Sequence, residues 1–138
     1  MLRPCYSRGM ERNKIIVITG ASDGIGKAAA RELKAKGAKV VIVGRSPEKT
    51  KAVARELDVA YYIADFSKLS DVRELGEKLH AAYPRIDVLV NNAGGIFGER
   101  ELTVDGFEKT MQVNHLSHFL LTKLLLDALI ASNATVIN

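Results

Sequence analysis

A chain of 138 residues, 47% of them hydrophobic, can form one globular domain around one core and is too short for two. No unbroken apolar stretch reaches the roughly 18 residues of a membrane-spanning helix, so no membrane span is predicted. The net charge of +4 comes from basic residues that alternate with Asp and Glu along helical segments. This pattern is typical of a solvated surface and argues against a nucleic-acid partner, although a positive field would suit a polyphosphate.

The first 13 residues are basic and lack the apolar core of a secretory signal. We expect residues 1–13 to form a disordered arm, in which Met10 is an equally good start, and residues 14–138 to form the domain. Cys5 is the single cysteine, so it can neither form an internal disulfide nor build a metal site. A reducing, cytoplasmic location is therefore expected.

A glycine turn follows the first apolar run of the chain. The β-branched run Ile15 to Ile18 predicts a strand buried on both faces of a parallel sheet, and 28–33 continue as a helix. Gly20 permits a tight turn, Gly24 lets the main chain approach a ligand, and Gly26 lets the helix pack near the strand. The free N–H groups of that helix would face a pyrophosphate, unless the turn merely connects the two elements.

A second buried strand over 39–43 follows a helix that ends at Gly37 and completes a βαβ unit. It leads into Gly44-Arg45-Ser46, where dinucleotide-binding folds select between NAD and NADP. No acidic side chain stands there to bind the ribose hydroxyls of NAD, whereas Arg45 offers donors to a 2′-phosphate. The residues favour NADP; a simply solvated arginine is the alternative.

The remaining pattern alternates helices and strands, which predicts an α/β fold: a Rossmann-like doubly wound parallel sheet in three αβα layers. The predicted order is a helix over 46–57, a strand over 59–64, a helix over 70–83, a strand over 86–90, a loop over 96–103, a long helix over 105–133 and a fifth strand over 134–138. Asp105 opens the long helix, and its apolar face includes Phe107 and Met111. Because the chain stops on the fifth strand, we expect the sheet to be incomplete on its C-terminal side.

Polar residues follow the third and fourth strands, at the sheet edge where parallel sheets bind ligands. Asp65-Phe66 ends the third strand, and Asp65 is a candidate acceptor for an adenine amino group or a cap of the next helix. Asn91-Asn92 follows the fourth strand, and Ala93-Gly94 would let a nucleotide lie against the main chain. A plain turn would use the same residue types.

Asn114 lies among apolar residues in the predicted long helix, where an amide without partners would cost stability. From the residues alone, a functional role and a structural role of Asn114 are equally supported. His115 and His118 are three residues apart, but no carboxylate or cysteine accompanies them. Packing and surface roles are therefore expected, and no metal site is predicted.

Together these motifs resemble the short-chain dehydrogenase/reductase family, most closely its NADP-preferring members of retinol-dehydrogenase-like type. The turn 19–26 fits the family's Thr-Gly-x-x-x-Gly-x-Gly pattern, 91–94 fits its fourth-strand motif, and the resemblance covers 14–138. It implies that Asp65 contacts adenine and that Asn114 is a catalytic residue, holding a water of the proton relay. The candidate cofactor-binding residues are Thr19, Gly20, Ser22, Asp23, Gly24, Ile25, Gly26, Gly44, Arg45, Asp65, Phe66, Asn91, Asn92, Ala93 and Gly94.

The family also implies hydride transfer between NADP(H) and a small-molecule alcohol or ketone, with a serine and a Tyr-x-x-x-Lys motif after the fifth strand. None of the four tyrosines is followed four residues later by lysine. We therefore expect the cofactor-binding part of an NADP-dependent oxidoreductase, inactive by itself. The alternatives are a non-catalytic NADP-binding or interaction module and an inactive remnant.

Two further expectations concern charge and association. Some NADP-preferring relatives carry a basic residue where this chain has Asp23, and an acid there weakens the preference that Arg45 implies. The open edge of the fifth strand and the apolar helix face would be exposed in the chain alone. Homo-oligomerisation or low stability is therefore predicted.

Overall fold

The computed structural model describes residues 12–138. Most of the predicted arm, including Cys5 and Met10, lies outside the described residues. The elements are β1 (Ile15–Thr19), α1 (Gly24–Ala35), β2 (Lys39–Gly44), α2 (Pro47–Leu57), β3 (Ala60–Ile63), α3 (Leu69–Ala82), β4 (Val88–Val90), α4 (Lys109–Met111), a π-helical turn (Gln112–Leu116), α5 (Ser117–Leu124), α6 (Leu126–Ala131) and β5 (Thr135–Ile137).

The five strands form one parallel sheet in the order β3-β2-β1-β4-β5, which confirms the predicted Rossmann-like architecture. β1 is central, and its Ile16 lies opposite Val40 of β2 and Val88 of β4. The chain moves outward from β1 to β3 and then crosses to β4 on the other side. The carboxyl ends of β1 and β4 therefore flank the switch point at which doubly wound sheets bind ligands.

Two hydrophobic clusters cover the two faces of the sheet and confirm the three-layer arrangement. On one face, Ile18 and Ile42 pack with Val53 of α2. On the other, Leu89 packs with Leu75 of α3 and Leu121 of α5. Each buried side chain of this size contributes roughly 1.5–3 kcal/mol, and residues of the strands and of the flanking helices together form the core.

The long helix differs from its prediction. Asp105 does not open it; Glu108 caps it, accepting hydrogen bonds from the N–H groups of Thr110 at 2.9 Å and Met111 at 2.8 Å. Asp105 instead accepts from the N–H of Leu69 at 2.9 Å, at the start of α3. Because the chain turns before Glu108, Phe107 lies outside the helix and is exposed, as is Met111.

The helix is also interrupted, by the π-helical turn and again at Leu125. β4 begins at Val88 and is therefore shorter than predicted; Ile86 donates its N–H to Ala128 of α6 at 3.1 Å rather than to a neighbouring strand. Within residues 12–138, no helix is both long and apolar enough to cross a membrane.

Candidate functional site

The glycine turn between β1 and α1 packs directly against the end of β4. Gly20 has a φ of +67°, and a Cβ there would lie 2.7 Å from the Cα of Ala93. A Cβ on Gly26 would collide with the carbonyl oxygen of Gly20. Gly24, with a φ of +52°, has open space where its Cβ would be. Gly20 and Gly26 are therefore required for packing, whereas Gly24 leaves open space beside the N-terminus of α1.

Thr19 and Asn92 join the turn to β4. The Thr19 hydroxyl accepts hydrogen bonds from the N–H groups of Asn92 and Ala93, both at 3.0 Å, and donates to Val90 at 3.2 Å. The Asn92 amide donates to the carbonyl oxygens of Thr19 at 3.0 Å and Gly20 at 3.2 Å. The hydrogen bonds of Thr19 and Asn92 thus fix the conformation of the glycine turn against the end of β4.

Asp23 lies at the exposed rim of the turn and is the N-cap of α1, accepting the N–H of Gly24 at 2.8 Å. A second contact, 3.5 Å long, joins its carboxylate to the ammonium group of Lys49 on α2. The Gly24 hydrogen bond first, and then the Lys49 charge, hold the pKa of Asp23 below its ordinary value. Asp23 is therefore ionised at neutral pH and already paired with a cation.

The end of β2 lies against the glycine turn. A Cβ on Gly44 would collide with the Thr50 hydroxyl and lie 3.0 Å from the Cβ of Ser22. Arg45 follows immediately, is exposed, and forms no ion pair with any residue from 12 to 138. Its guanidinium is thus available to an anion in the groove beside Ser22.

Asp65 forms a turn with Ser67 rather than a cap on α3. Its Oδ1 accepts from the N–H of Ser67 at 2.9 Å and from the hydroxyl at 2.7 Å. Burial opposes ionisation of Asp65, but the two Ser67 hydrogen bonds, together with Arg45 and Lys68, bring its pKa below the ordinary value. Asp65 is therefore an ionised acceptor at the mouth of the groove.

Phe66 is fixed through its carbonyl oxygen, which accepts from the hydroxyl of Ser117 at 2.7 Å and from the amide of Gln112 at 3.4 Å. Gln112 belongs to the π-helical turn, and Ser117 begins α5. These two buried side chains anchor the loop that carries Asp65 to the long helical segment.

Asn114 forms a two-point clamp on the backbone after β4. Its Oδ1 accepts from the N–H of Gly95 and its Nδ2 donates to the carbonyl oxygen of Gly95, both at 2.9 Å. The clamp satisfies the amide, which is exposed rather than enclosed by the apolar residues that the sequence predicted around it. Asn114 fixes the small residues Gly94 and Gly95 in position and retains one donor and one acceptor site for a further partner.

A groove of about 530 Å³ runs along the carboxyl ends of the strands. It brings together nine of the fifteen predicted cofactor residues: Gly20, Ser22, Asp23, Gly44, Arg45, Asp65, Phe66, Ala93 and Gly94. Thr19 and Asn92 lie beneath it, and Ile25 points outward, 82% exposed. Groove residues that the sequence prediction missed include Lys49, Phe97, Lys109 and Val113.

Asn91 and Asn114 line a separate cavity of about 360 Å³ with His115, His118, Phe119, Thr122, Val136 and Asn138. Asn91 donates to Asn138 at 2.8 Å and to the Thr122 hydroxyl at 3.3 Å, and its own oxygen is buried without a hydrogen-bond partner. The structure thus separates Asn91 from the groove residues with which it was predicted.

None of the three tyrosines in residues 12–138 is followed four residues later by lysine, and none of them lines the groove. Burial first, and then neighbouring Tyr62, raise the pKa of Tyr83 to about 12, far from neutral pH. Tyr61 and Tyr62 lie on β3, at the sheet edge. In residues 12–138, moreover, no three His, Cys, Asp or Glu side chains cluster as a metal site would require.

A parallel doubly wound sheet with a glycine turn at β1 and a groove across the strand ends defines a nucleotide-binding Rossmann protein. The family model described as short chain dehydrogenase matches residues 14–138. The chain therefore belongs to the short-chain dehydrogenase family of oxidoreductases, which bind a nicotinamide dinucleotide.

Curated relatives include a Streptomyces sp. (strain C5) protein named "Putative daunorubicin C-13 ketoreductase DnrU", 50% identical over 122 residues, which are 84% of this chain and 42% of that protein. Human retinol dehydrogenase 13 is 38% identical over 93% of this chain and 41% of its own length. The chain thus spans less than half the length of these relatives. Among solved structures, the Pseudomonas aeruginosa RhlG/NADP active-site complex is 35% identical with a TM-score of 0.77, covering 88% of this chain and 50% of that one.

Proposed function

We propose that the chain is the cofactor-binding part of an NADP-dependent oxidoreductase that transfers a hydride between NADP(H) and an alcohol or carbonyl substrate. The observation that carries the proposal is the groove, in which a glycine turn, an unpaired arginine and an ionised aspartate follow three adjacent parallel strands. When bound, the nicotinamide group supplies the hydride chemistry.

The shape of the groove fits a dinucleotide. The glycine turn has open space at Gly24 beside the N-terminus of α1, where the N–H groups after the one that Asp23 caps would face a pyrophosphate. Asp65 stands in the groove as an acceptor for an adenine amino group, and Ala93-Gly94 offers small residues on the opposite wall. Thr19, Asn92 and Asn114 would orient these surfaces without touching the adenine end.

Arg45 supports NADP over NAD. No acidic residue stands at the end of β2 to bind ribose hydroxyls, and a guanidinium binds phosphate through two parallel hydrogen bonds. Asp23, which weakened this preference in the sequence, is paired with Lys49 and so presents less net negative charge to a phosphate. The NADP named in the RhlG complex is in accord with this choice.

The residues of this chain bind and orient the cofactor. The sequence contains no Tyr-x-x-x-Lys, so we propose that residues 14–138 do not by themselves exchange the substrate proton. Asn114 fixes the backbone at Gly95 and is proposed to bind a relay water through its remaining hydrogen-bonding sites.

The cofactor proposal is tested by titrating the chain with NADPH and with NADH, with Arg45→Ala as the variant and Arg55→Ala as the matched control. Arg55 is exposed on α2 but does not line the groove. We expect Arg45→Ala to weaken NADPH binding about 10- to 100-fold, because a charge-assisted phosphate contact is lost. NADH binding should be unchanged, and Arg55→Ala should behave like the wild type. Equal affinity of the wild type for the two cofactors would contradict the proposal.

A further inference from the structure

The peptide group between Phe66 and Ser67 forms hydrogen bonds through both of its polar atoms. Its carbonyl oxygen accepts from the Ser117 hydroxyl at 2.7 Å and from the Gln112 amide at 3.4 Å. Its N–H, which belongs to Ser67, donates to Oδ1 of Asp65 at 2.9 Å. Because a trans peptide is planar and its C=O and N–H point in opposite directions, the donors that fix the carbonyl also fix the direction of the N–H.

The direction of that N–H determines how the Asp65 carboxylate lies in the groove. Oδ1 of Asp65 accepts this hydrogen bond and a second one from the Ser67 hydroxyl at 2.7 Å. Within residues 12–138 both hydrogen bonds to the carboxylate fall on Oδ1, so Oδ2 is the oxygen left to accept from a ligand. A rotation of the peptide group would therefore turn Oδ2 away from its present direction.

Ser117 and Gln112 act on the groove from outside it. Neither residue lines the groove, and both are fully buried. The Gln112 amide is itself held in place, because its Nε2 donates to Oδ2 of Asp105 at 2.9 Å and its Oε1 accepts from the Thr103 hydroxyl at 2.6 Å. Gln112 therefore cannot turn away from Phe66 without breaking these two hydrogen bonds.

We propose that Ser117 and Gln112 are positioning residues that make the groove selective for adenine, because they fix the peptide group that orients the Asp65 carboxylate. The amino group of adenine donates to a carboxylate, whereas hypoxanthine carries a carbonyl oxygen at the same position and cannot donate there. Neither positioning residue contacts the base. This inference rests on the proposed function, because it places a dinucleotide in the groove with its base at Asp65.

The test measures the dissociation constants of the full chain for NADPH and for deamino-NADPH, in which hypoxanthine replaces adenine. The ratio of the two constants reports base selectivity, and a loss of folded protein that affects both ligands equally leaves it unchanged. We expect the wild type to bind NADPH about tenfold more tightly than deamino-NADPH, because hypoxanthine loses a hydrogen bond to a charged group.

The variants remove the two donors to the Phe66 carbonyl oxygen. Ser117→Ala should lower the ratio to about threefold, and Gln112→Met to about fivefold, because the Gln112 hydrogen bond is the longer one. In the double variant the ratio should fall below about twofold, since Phe66 then loses both donors. Ser132→Ala is the matched control: it also removes a hydroxyl that donates to a carbonyl oxygen, that of Ile86 before β4, and it should leave the ratio unchanged.

The outcomes separate this inference from the proposed function. If the variants weaken both ligands equally and leave the ratio at its wild-type value, Ser117 and Gln112 only support the fold and the inference is wrong. Equal affinity of the wild type for NADPH and deamino-NADPH would also overturn it, because Asp65 would then not contact the base. In both cases a preference for NADPH over NADH leaves the proposed function standing.

Two further results are decisive. If Ser117→Ala does not fold, the ratio measured for Gln112→Met decides between the outcomes above. If the wild-type chain binds none of these dinucleotides, both proposals fall.

Discussion

At the scale of single residues, His118 is a buried base with one fixed proton. Its Nε2 lies 2.6 Å from the carbonyl oxygen of Ala93, and because a carbonyl can only accept, Nε2 carries the hydrogen. The other ring nitrogen, Nδ1, is buried without a hydrogen-bond partner, and the ring contacts Phe66 edge-on. His118 thus ties α5 to the small residues that form one wall of the groove.

Protonation of His118 should destabilise the fold. Burial first, opposed by the Ala93 hydrogen bond and assisted by the charge of His115, lowers its pKa from the ordinary value of 6.5. Below pH 6.5 the unfolded chain therefore binds a proton that the folded chain resists, and the free energy of unfolding falls as the pH decreases toward the folded pKa. Urea denaturation between pH 7.5 and pH 5 should show this loss.

His118→Gln should flatten that pH dependence, since glutamine can donate to Ala93 and does not titrate. His80→Gln is the matched control, because His80 is exposed on α3 and should leave the profile unchanged. An unaltered pH profile in His118→Gln would show that other groups cause the loss.

The positions of site residues at strand ends could be predicted from the sequence, because the patterns that indicate strands and turns are local. Arg45 and Asp65 follow apolar runs, and parallel strands bring their carboxyl ends to one edge. Lys49 was missed because its position relative to Asp23 depends on how α1 and α2 pack. Phe97 and Lys109 were missed for a similar reason, since they meet across a loop with no periodicity, the ammonium 5.0 Å from the ring centre.

At the scale of elements, the long helical segment shows where local pattern failed. Apolar spacing continued smoothly from Phe107 to Leu129, so it gave no sign of the turn before Glu108 or of the π-helical turn. The turn is formed locally at Gly106, which has a φ of +83° and donates its N–H to Thr103 at 3.0 Å, and long-range hydrogen bonds hold both features in place. Asp105 is engaged by Leu69 of α3, and Gln112 by Phe66 after β3. Such partners lie dozens of residues away and leave no periodic signal.

Gly76 sets the distance between α3 and α5. A Cβ at this position would lie 2.7 Å from Cδ1 and 2.9 Å from Cβ of Leu124. We expect Gly76→Ala to lower the free energy of unfolding by about 1–3 kcal/mol, because the helices must separate or Leu124 must leave its rotamer. Urea denaturation measures the change.

Gly98→Ala is the control, because a Cβ on Gly98 meets no atom within 4 Å, and its effect should stay within about 0.5 kcal/mol. Shortening the opposing side chain with Leu124→Ala should reduce the cost of Gly76→Ala by about 1 kcal/mol. Strictly additive effects would show that α3 and α5 do not meet at this contact.

At the scale of the whole molecule, several apolar side chains near the β5 end of the sheet are exposed. Phe119, Leu126 and Ile130 are exposed on α5 and α6, as are Val136 and Ile137 on β5, and Phe119 and Val136 line one cavity. β5 is an edge strand in the described part of the chain, with one row of backbone groups unpaired within it. Exposed apolar surface beside an open edge favours association.

We therefore expect the chain to self-associate as its concentration rises, as sedimentation velocity would detect. Ile130→Lys should shift the distribution toward the monomer, because it places a charge on a side chain that is 68% exposed within this surface. Val104→Lys, at an 83% exposed position in the loop before α4, should have no effect. A monomer at every concentration, with a sharp cooperative melt, would contradict this expectation.

The hydrogen bonds between Thr19 and Asn92 determine the stage of folding at which the groove can form. Its hydrogen bonds join residues 73 positions apart, so loop closure must precede them and the glycine turn gains its support late. A nascent chain that has produced only β1 to β3 holds the correct sequence around Gly20 but lacks the wall formed by Ala93 and Gly94. A ligand in the groove would thus stabilise only chains in which β4 has docked, and would raise apparent stability in proportion to the logarithm of its concentration. A ligand in the groove would in this way favour completion of the sheet.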